Sequence, residues 1–290
     1  MAERQTRIAA LLTGPVILAV TCLCLVPLAY LFAYSFFQVD FVSIVKDPTL
    51  ANYERVAASP TYRALILKAL GHGLLVAVIT AILAYPLAFY IAKRVRHLKA
   101  ALLTALLIPL YTGDIIRIFA WRVVLGAEGA LNTLLLWLGL IDEPVRALLF
   151  STTATIIVLT YNYLPFMVLG LWLAFENLDD RYIEAAADLG AGRTATFRKV
   201  VLPLTLPGLF AGGLMVFALV IGDYLTPQLI GGSSGITVIS AINDLFGTAF
   251  DWPLGSAIAW TLLAVLFVVL TATFLLLQRH PATRTLFGRA

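Results

Sequence analysis

The chain has 290 residues, 61% hydrophobic and only 12% charged, with a net charge of +4 and a mean hydropathy of +0.95. A soluble domain carries about 25% charged residues, so half that density leaves too little polar surface to dissolve a folded chain. The composition excludes a water-soluble fold and makes a bilayer the solvent.

Apolar runs of about 18 residues or more are long enough to cross the hydrocarbon core as helices. Six occur, near 8–37, 65–92, 100–125, 147–175, 204–221 and 254–278. The first follows Arg4 and Arg7 as a signal sequence would. Its uncharged stretch is twice the usual signal length and no A-x-A site follows, so it reads as a membrane anchor. Cys22 and Cys24 lie inside it without His or Cys companions; they read as inert small hydrophobes, and no metal site is expected. The loop 38–63 is polar, and its Pro48 and Pro60 bracket a short helix. At the start of the second run, Lys68 and His72 stand one turn apart and read as snorkelling side chains.

The third run is interrupted by Asp114, Arg117 and Arg122. After it, "GALNTLLLWLGL" is too short to cross and is expected to lie at the outer interface with Trp137 as anchor. In the fourth run Tyr161, Asn162 and Tyr163 precede Pro165; they line a path or hydrogen-bond across helices, and packing is the favoured reading. The last outward segment starts with a glycine-serine turn and continues as a modestly amphipathic stretch exposing Asp244. Pro15, Pro27, Pro86, Pro109, Pro165, Pro207, Gly71 and Gly73 lie in or beside the spans. Membrane helices tolerate such residues where neighbours re-satisfy the freed backbone, and together they describe a bundle that bends. No repeat or low-complexity linker divides the chain, so residues 1–290 read as one transmembrane domain.

Lysine and arginine collect on the cytoplasmic side of membrane proteins. With the N-terminus inside, inner segments hold Arg4, Arg7, Lys93, Arg94, Arg96, Lys99, Arg181, Arg193, Arg198, Lys199, Arg279, Arg284 and Arg289. Outer segments hold only Lys46, Arg55, Arg63 and Arg146, so both termini are expected in the cytoplasm. This bias accounts for the positive net charge, and nucleic-acid binding need not be invoked.

Residues 184–208 read "EAAADLGAGRTATFRKVVLPLTLPG". A short amphipathic helix is expected over 178–190, capped by Asp179 or Asp180 and ended by Gly190. A second is expected over 193–200, with Pro203 stopping it before the fifth span. The two would meet at Gly190-Ala191-Gly192 as a protruding cytosolic elbow, charged because it stands in water. A plain solvated loop would satisfy the same charge count. The spacing adds more: Glu184-Ala185-Ala186, Gly190 six residues after the glutamate, then Val200-Val201-Leu202-Pro203 resembles the EAA loop of ATP-binding-cassette importer permeases. Val200 stands where that family has isoleucine.

The resemblance implies an all-α, six-helix bundle of the type I importer permease kind. Segment 178–203 would be its coupling loop, seated in a cleft of a separate cytosolic ATPase subunit. Glu184 would be the charged anchor, Ala185 and Ala186 the close-packing surface, Gly190 the turn, and Leu202 and Pro203 the end of the motif. The chain has no G-x-x-x-x-G-K-S/T phosphate loop, so it reads as a transport subunit and not an enzyme. "GDIIRIFAWRVVLGAEGALN" at 113–132, "YNYLPFMVLGLWLAFENLDDRYIEAAADLGA" at 161–191 and "FALVIGDYLTPQLIGG" at 217–232 are similar to the spermidine/putrescine branch. That likeness implies a bacterial inner-membrane protein whose partners are two ATPase subunits, a second related permease and a periplasmic solute-binding protein. No cofactor is implied.

Ionisable residues inside a bilayer are functional candidates by default. Counted at the rise of an unbroken helix, Asp114 lies roughly 21 Å and Asp223 roughly 25 to 30 Å from the inner ends of their spans. Both would sit in the outer half, where an importer accepts its load. Tyr111 and Trp121 near Asp114, and Tyr224 beside Asp223, offer rings for cation-π contact with an amine. Two plainer readings stand beside this one: Asp114 and Arg117 at i,i+3 neutralise each other, and Asp223 caps a helix end. No base occurs from 200 to 278, which favours a functional Asp223. An intramembrane aspartyl protease would need G-x-G-D, but Tyr111 and Val220 hold the first-glycine positions. An ion-gradient transporter would be expected to show an inverted repeat, and none is found.

Overall fold

The computed structural model describes the backbone of residues 2–40 and 43–279, and side chains over 13–40 and 43–275. Arg284 and Arg289 lie outside the described residues, as do the side chains of Arg4, Arg7 and Arg279. Among the described residues thirteen helices follow one another: α1 (Ala2–Tyr34), α2 (Ala51–Ala58), α3 (Pro60–Lys93), α4 (Lys99–Leu107), α5 (Asp114–Leu125), α6 (Ala130–Trp137), α7 (Thr152–Glu176), α8 (Arg181–Asp188), α9 (Arg193–Thr196), α10 (Leu202–Gly222), α11 (Leu225–Ile230), α12 (Val238–Gly247) and α13 (Trp252–Arg279). One departure from an all-helical chain is a small hairpin, β1 (Gln38–Asp40) against β2 (Ser43–Val45), with Val39 opposite Ile44. The expected helix between Pro48 and Pro60 is α2.

Among the described residues six stretches are long and apolar enough to cross a membrane: Thr13–Tyr34, Pro60–Lys93, Asp114–Trp137, Thr152–Glu176, Arg193–Gly222 and Trp252–Leu275. Five lie where the hydropathy placed them. The third is displaced, because the run 100–125 is not one helix. Pro109, which has no N–H to donate, sits in a tight 3-10 turn over Ile108–Tyr111. Thr112 (ψ 130°) and Gly113 (ψ 141°) then run extended. The chain restarts as α5 at Asp114, whose carboxylate favours a helix N-terminus. The apolar stretch Lys99–Tyr111 stands apart, and α6, expected as an interfacial helix, falls within the third crossing stretch. Counting helical rise to Asp114 from residue 100 therefore fails.

The described residues gather into two compact units. In the unit of residues up to Arg63 with Ala241–Ala264, α2 is tied to the end of α1 by buried polar groups. Asn52 Nδ2 donates to the carbonyls of Ser35 (3.0 Å) and Phe37 (2.7 Å). The buried Ser35 hydroxyl donates to Phe32 O (2.6 Å) and meets Tyr53 OH at 2.8 Å. Phe32 packs edge-on against Trp260, with ring centroids 4.9 Å apart.

In the unit formed by Ala64–Ser240 with the residues from Val265, the closest packing joins α7 to α10. A Cβ placed on Gly208 would strike Ala174 Cβ and Gly170 O, and one on Gly170 would lie 3.0 Å from Gly212 Cα. Between apolar helices in lipid, where hydrophobic burial supplies no drive, close approach of this kind supplies dispersion contact. Lower on the same pair, Tyr85 of α3 hydrogen-bonds Thr205 of α10 (2.8 Å) and packs edge-on against Phe175 of α7.

Candidate functional site

The ends of α5 and α10 hold the two membrane acids, and buried polar groups of α7 and α11 connect them. Helix α10 ends at Gly222, and Asp223 turns the chain (ψ 112°) into α11. Its Oδ1 accepts the Thr226 N–H (3.0 Å), while Oδ2 accepts the Thr226 hydroxyl (2.6 Å) and the Tyr163 hydroxyl (3.0 Å). Thr226 also receives a long hydrogen bond from Asn162 Nδ2 (3.5 Å). Asn162 Oδ1 accepts from Arg117 Nη1 (3.3 Å), and Arg117 Nη2 donates to Asp114 Oδ1 (2.8 Å) and Thr112 O (3.1 Å). The result is a continuous polar chain with two carboxylates and one guanidinium, a formal excess of one negative charge.

Burial differs along this chain. The Arg117 side chain is 9% exposed, but Asp114 is 70% exposed. Burying a cation is costly unless it is paired, and Arg117 recruits acceptors on three segments, although its Nε has none. The Asp114 carboxylate keeps its second oxygen toward open space. A cavity of about 330 Å³ is lined by Asp114, Tyr163, Asp223, Tyr224 and Thr226, with Gly222 and apolar residues of α10 completing the wall. Such a cavity offers a cation carboxylate oxygens and two phenol rings within one space.

Of the residues expected on a substrate path, Asp114, Asp223 and Tyr224 meet at this cavity. Tyr111 and Trp121 do not. Tyr111 is 88% exposed on the 3-10 turn. Trp121 packs on the buried cluster of Ile118, Leu125, Ala154, Val158 and Ile230, edge-on to Tyr161 at 5.2 Å. A side chain seven positions along α5 from Asp114 points to the core, not the cavity. The plainer readings of the acids hold as contacts: Asp114 pairs with Arg117, and Asp223 caps the first turn of α11. Sequence reasoning offers Asn162 and Tyr163 as groups that line a path or hydrogen-bond across helices, with packing favoured, and both bond across helices here; it misses Thr226 as a connector. Arg122 lies over the rings of Phe119 (5.3 Å) and Phe150 (5.4 Å). Lys68 does not reach away from the bundle: its ammonium donates to the carbonyls of Ser234 and Ile236 (2.9 Å to the latter), bracing the glycine-serine turn.

At the other end of α10 stands the elbow. Asp179 Oδ1 accepts the Arg181 N–H (3.0 Å) at the start of α8, and Asp180 makes no side-chain cap. Gly190, at φ +78°, ends the helix, with its N–H on Ala187 O and the Ala191 N–H on Ala186 O, both at 2.9 Å. This left-handed ending suits glycine. Pro203 does not stop the second helix. Residues Phe197–Val201 form a π turn in which the Leu202 N–H reaches Phe197 O, and α10 continues through Pro203 in its first turn. Proline loses nothing at that position, and the widened turn before it makes room for the ring.

Glu184 and Ala185 are exposed, Ala186 is half-buried, and Leu202 and Pro203 are half-buried in α10. Tyr182 (58%) and Leu189 (88%) project apolar surface from the elbow. Two lysines hold it: Lys93 pairs with Asp180 (2.7 Å) and donates to Leu178 O, and Lys99 meets both oxygens of Glu176 (2.8 and 2.9 Å). Among the described residues no group of three or more His, Cys, Asp or Glu is placed to hold a metal ion.

Residues 1–285 match the family described as "Binding-protein-dependent transport system inner membrane component". The chain is 38% identical over 237 residues to the spermidine/putrescine transport system permease protein PotB of Escherichia coli (strain K12), covering 81% of this chain and 86% of that one. It is 33% identical over 249 residues to the inner membrane ABC transporter permease protein YdcU of the same strain, covering 81% of this chain and 78% of that one. In fold it resembles a chain of the bacterial alginate ABC transporter solved with its alginate-bound periplasmic protein. The TM-score is 0.73 at 16% identity, covering 96% of this chain and 95% of that one.

Proposed function

Because the chain belongs to the binding-protein-dependent transport system inner membrane component family, we propose that it carries a polyamine of the spermidine/putrescine class inward. It is a multi-pass inner-membrane permease subunit of an ABC importer. On our reading both termini face the cytoplasm, and residues 1–290 make one permease domain with the coupling loop 178–203 inside it. The subunit forms half of the path, beside a second related permease. Two cytosolic ATPase subunits supply the work, since the sequence has no phosphate loop of its own. A periplasmic solute-binding protein delivers the load.

The observation that carries the substrate reading is the pair of carboxylates at one cavity, served by a single guanidinium. An oligoamine brings several positive charges, and Arg117 answers only one of the two acids. Asp223 is held by neutral hydroxyls and a backbone N–H, and among the described residues no cation pairs with it. Tyr163 and Tyr224 supply ring faces at the same cavity. The arrangement also argues against proteolysis, where two acids must share a proton: Asp114 is bonded to Arg117, and Asp223 to the hydroxyls of Tyr163 and Thr226.

On this reading Glu184, Ala185, Ala186 and Gly190 form the contact with the ATPase, and Leu202 and Pro203 fix the elbow to α10. ATP-driven closure of the ATPase pair then reaches the bundle as a rigid-body motion through α10, whose far end carries Asp223. The test is uptake of labelled spermidine into vesicles holding the complete transporter with its binding protein. Uptake that requires ATP and falls in Asp223→Asn supports the reading. Uptake driven by an ion gradient without ATP overturns it.

A further inference from the structure

A second cavity, of about 560 Å³, lies between the end of α3 and the elbow, and the substrate reading makes no use of it. Its walls are apolar: Tyr85 and Phe89 from α3, Ile183 and Ala187 from α8, and Phe197 and Val201 from the π turn. Arg94 and Arg193 also line it, both are exposed, and no acid does. The volume falls within the ~300–1,000 Å³ usual for small-ligand sites.

The two lysines at this junction and the two arginines that line the cavity differ in their partners. Lys93 and Lys99 are each satisfied by an acid of the α7–α8 connection. Arg94 and Arg193 have no ion pair or side-chain hydrogen bond among the described residues. Two unpaired guanidiniums beside an apolar hollow fit an amphiphile with an anionic head. A soluble anion would have no use for the aromatic walls, and a polyamine would be repelled.

The position matches as well. Tyr85 and Phe89 occupy the last turns of α3, and Arg94 follows its final residue, Lys93. That is where hydrocarbon gives way to headgroups. Basic pockets beside membrane helices on the cytoplasmic face bind anionic lipid heads.

We propose that this cavity is a binding site for an anionic phospholipid, with one acyl chain against Tyr85, Phe89, Ile183 and Phe197 and the phosphate on Arg94 and Arg193. The lipid then wedges α8 and the π turn against α3, so the charge of the membrane bears on the elbow. The inference needs only the membrane placement, and it stands or falls apart from the identity of the transported solute.

The test is native mass spectrometry of the full chain in detergent, titrated with phosphatidylglycerol or with phosphatidylcholine of identical acyl chains. One phosphatidylglycerol is expected to be retained in preference to phosphatidylcholine. The double variant Arg94→Gln/Arg193→Gln should weaken retention roughly thirtyfold, as the loss of two basic contacts implies. Arg94→Lys/Arg193→Lys should keep most of it, which separates loss of charge from misfolding. Ala187→Phe, which fills the hollow and leaves both charges, should also abolish the preference. Equal binding of the two lipids, or retention untouched by Arg94→Gln/Arg193→Gln, overturns the proposal. Full competition by inorganic phosphate would make this a plain anion site and overturn it too. So would expulsion of the lipid when the ATPase subunits dock, which would assign the hollow to a protein side chain.

Discussion

The elbow and the acid cavity sit at opposite ends of α10, and they hold charge by different means. At the elbow the ion pairs are partly in water: Lys99 and Glu176 are 29% and 40% exposed, and each partner has solvent to fall back on. At the cavity Arg117 is 9% exposed, and its neighbours come from the extended link at Thr112, α5 and α7. A buried charge left without its partner costs several kcal/mol, about 3–5 by measurement, whereas an exposed pair contributes about 0–1 kcal/mol. Substitutions at the cavity should therefore act through charge, and those at the elbow through backbone shape.

The largest effect is expected at Asp223. Asparagine keeps the size and one carbonyl oxygen for the Thr226 N–H, but presents an amide to two hydroxyls that now donate to a carboxylate. Hydrogen bonds to a charged group contribute about 1.5–3 kcal/mol each, and 1.4 kcal/mol is about tenfold. Spermidine uptake at subsaturating concentration should fall about 100-fold in Asp223→Asn, with the amount of transporter in the vesicles unchanged. An unchanged rate would remove Asp223 from the path and reduce it to a helix cap.

Next comes Gly190. No atom lies within 4 Å of a Cβ built there, so space is not the constraint. The constraint is φ +78°, which β-branched residues avoid and asparagine accepts. At about 1–3 kcal/mol of strain, Gly190→Val should lower ATP-driven uptake about tenfold, and Gly190→Asn should retain most of it. If both variants fail alike, the elbow depends on the absence of a side chain and not on its turn.

A smaller effect is expected at Asp114. Its carboxylate is 70% exposed and already neutralised by Arg117, so Asp114→Asn removes less usable charge than Asp223→Asn does. Uptake should drop only a few-fold, because the asparagine carbonyl oxygen still accepts from Arg117, whose other donors keep the Asn162 and Thr112 oxygens. Equal losses at the two acids would mean that the guest displaces Arg117 and takes both carboxylates.

The same contrast governs what could be read from the sequence. The elbow was legible because its determinants are neighbours: Glu184, the alanines, Gly190 and Pro203 fall within one short stretch. Even there Pro203 was misjudged, since a π turn ending two residues earlier gives a proline room that a regular helix would not. The cavity was legible only as two isolated acids. Its connections run from Arg117 to Asn162, from Asn162 to Thr226 and from Tyr163 to Asp223, across separations of 45, 64 and 60 residues. No local pattern encodes such pairings. Lys68 shows the same limit, with its carbonyl partners 166 and 168 residues away. The third span failed for a different reason: hydropathy counts residues and ignores the backbone, so the break at Pro109 to Gly113 was invisible to it.

The smallest expected effect separates the two lysines that hold the elbow. Lys99 contributes a doubly contacted but partly solvated pair with Glu176, so Lys99→Gln should change the stability of the purified chain by less than about 1 kcal/mol. Lys93 is different, since its side chain is 14% exposed and its ammonium bridges the Asp180 carboxylate and the Leu178 carbonyl. Removing it strands a backbone acceptor as well as an exposed acid, and a buried group left unsatisfied costs about 1–3 kcal/mol. Thermal unfolding in detergent should therefore show a lower Tm for Lys93→Gln than for Lys99→Gln. If the order reverses, water reaches the Leu178 carbonyl, and the elbow is held by its solvated pair after all.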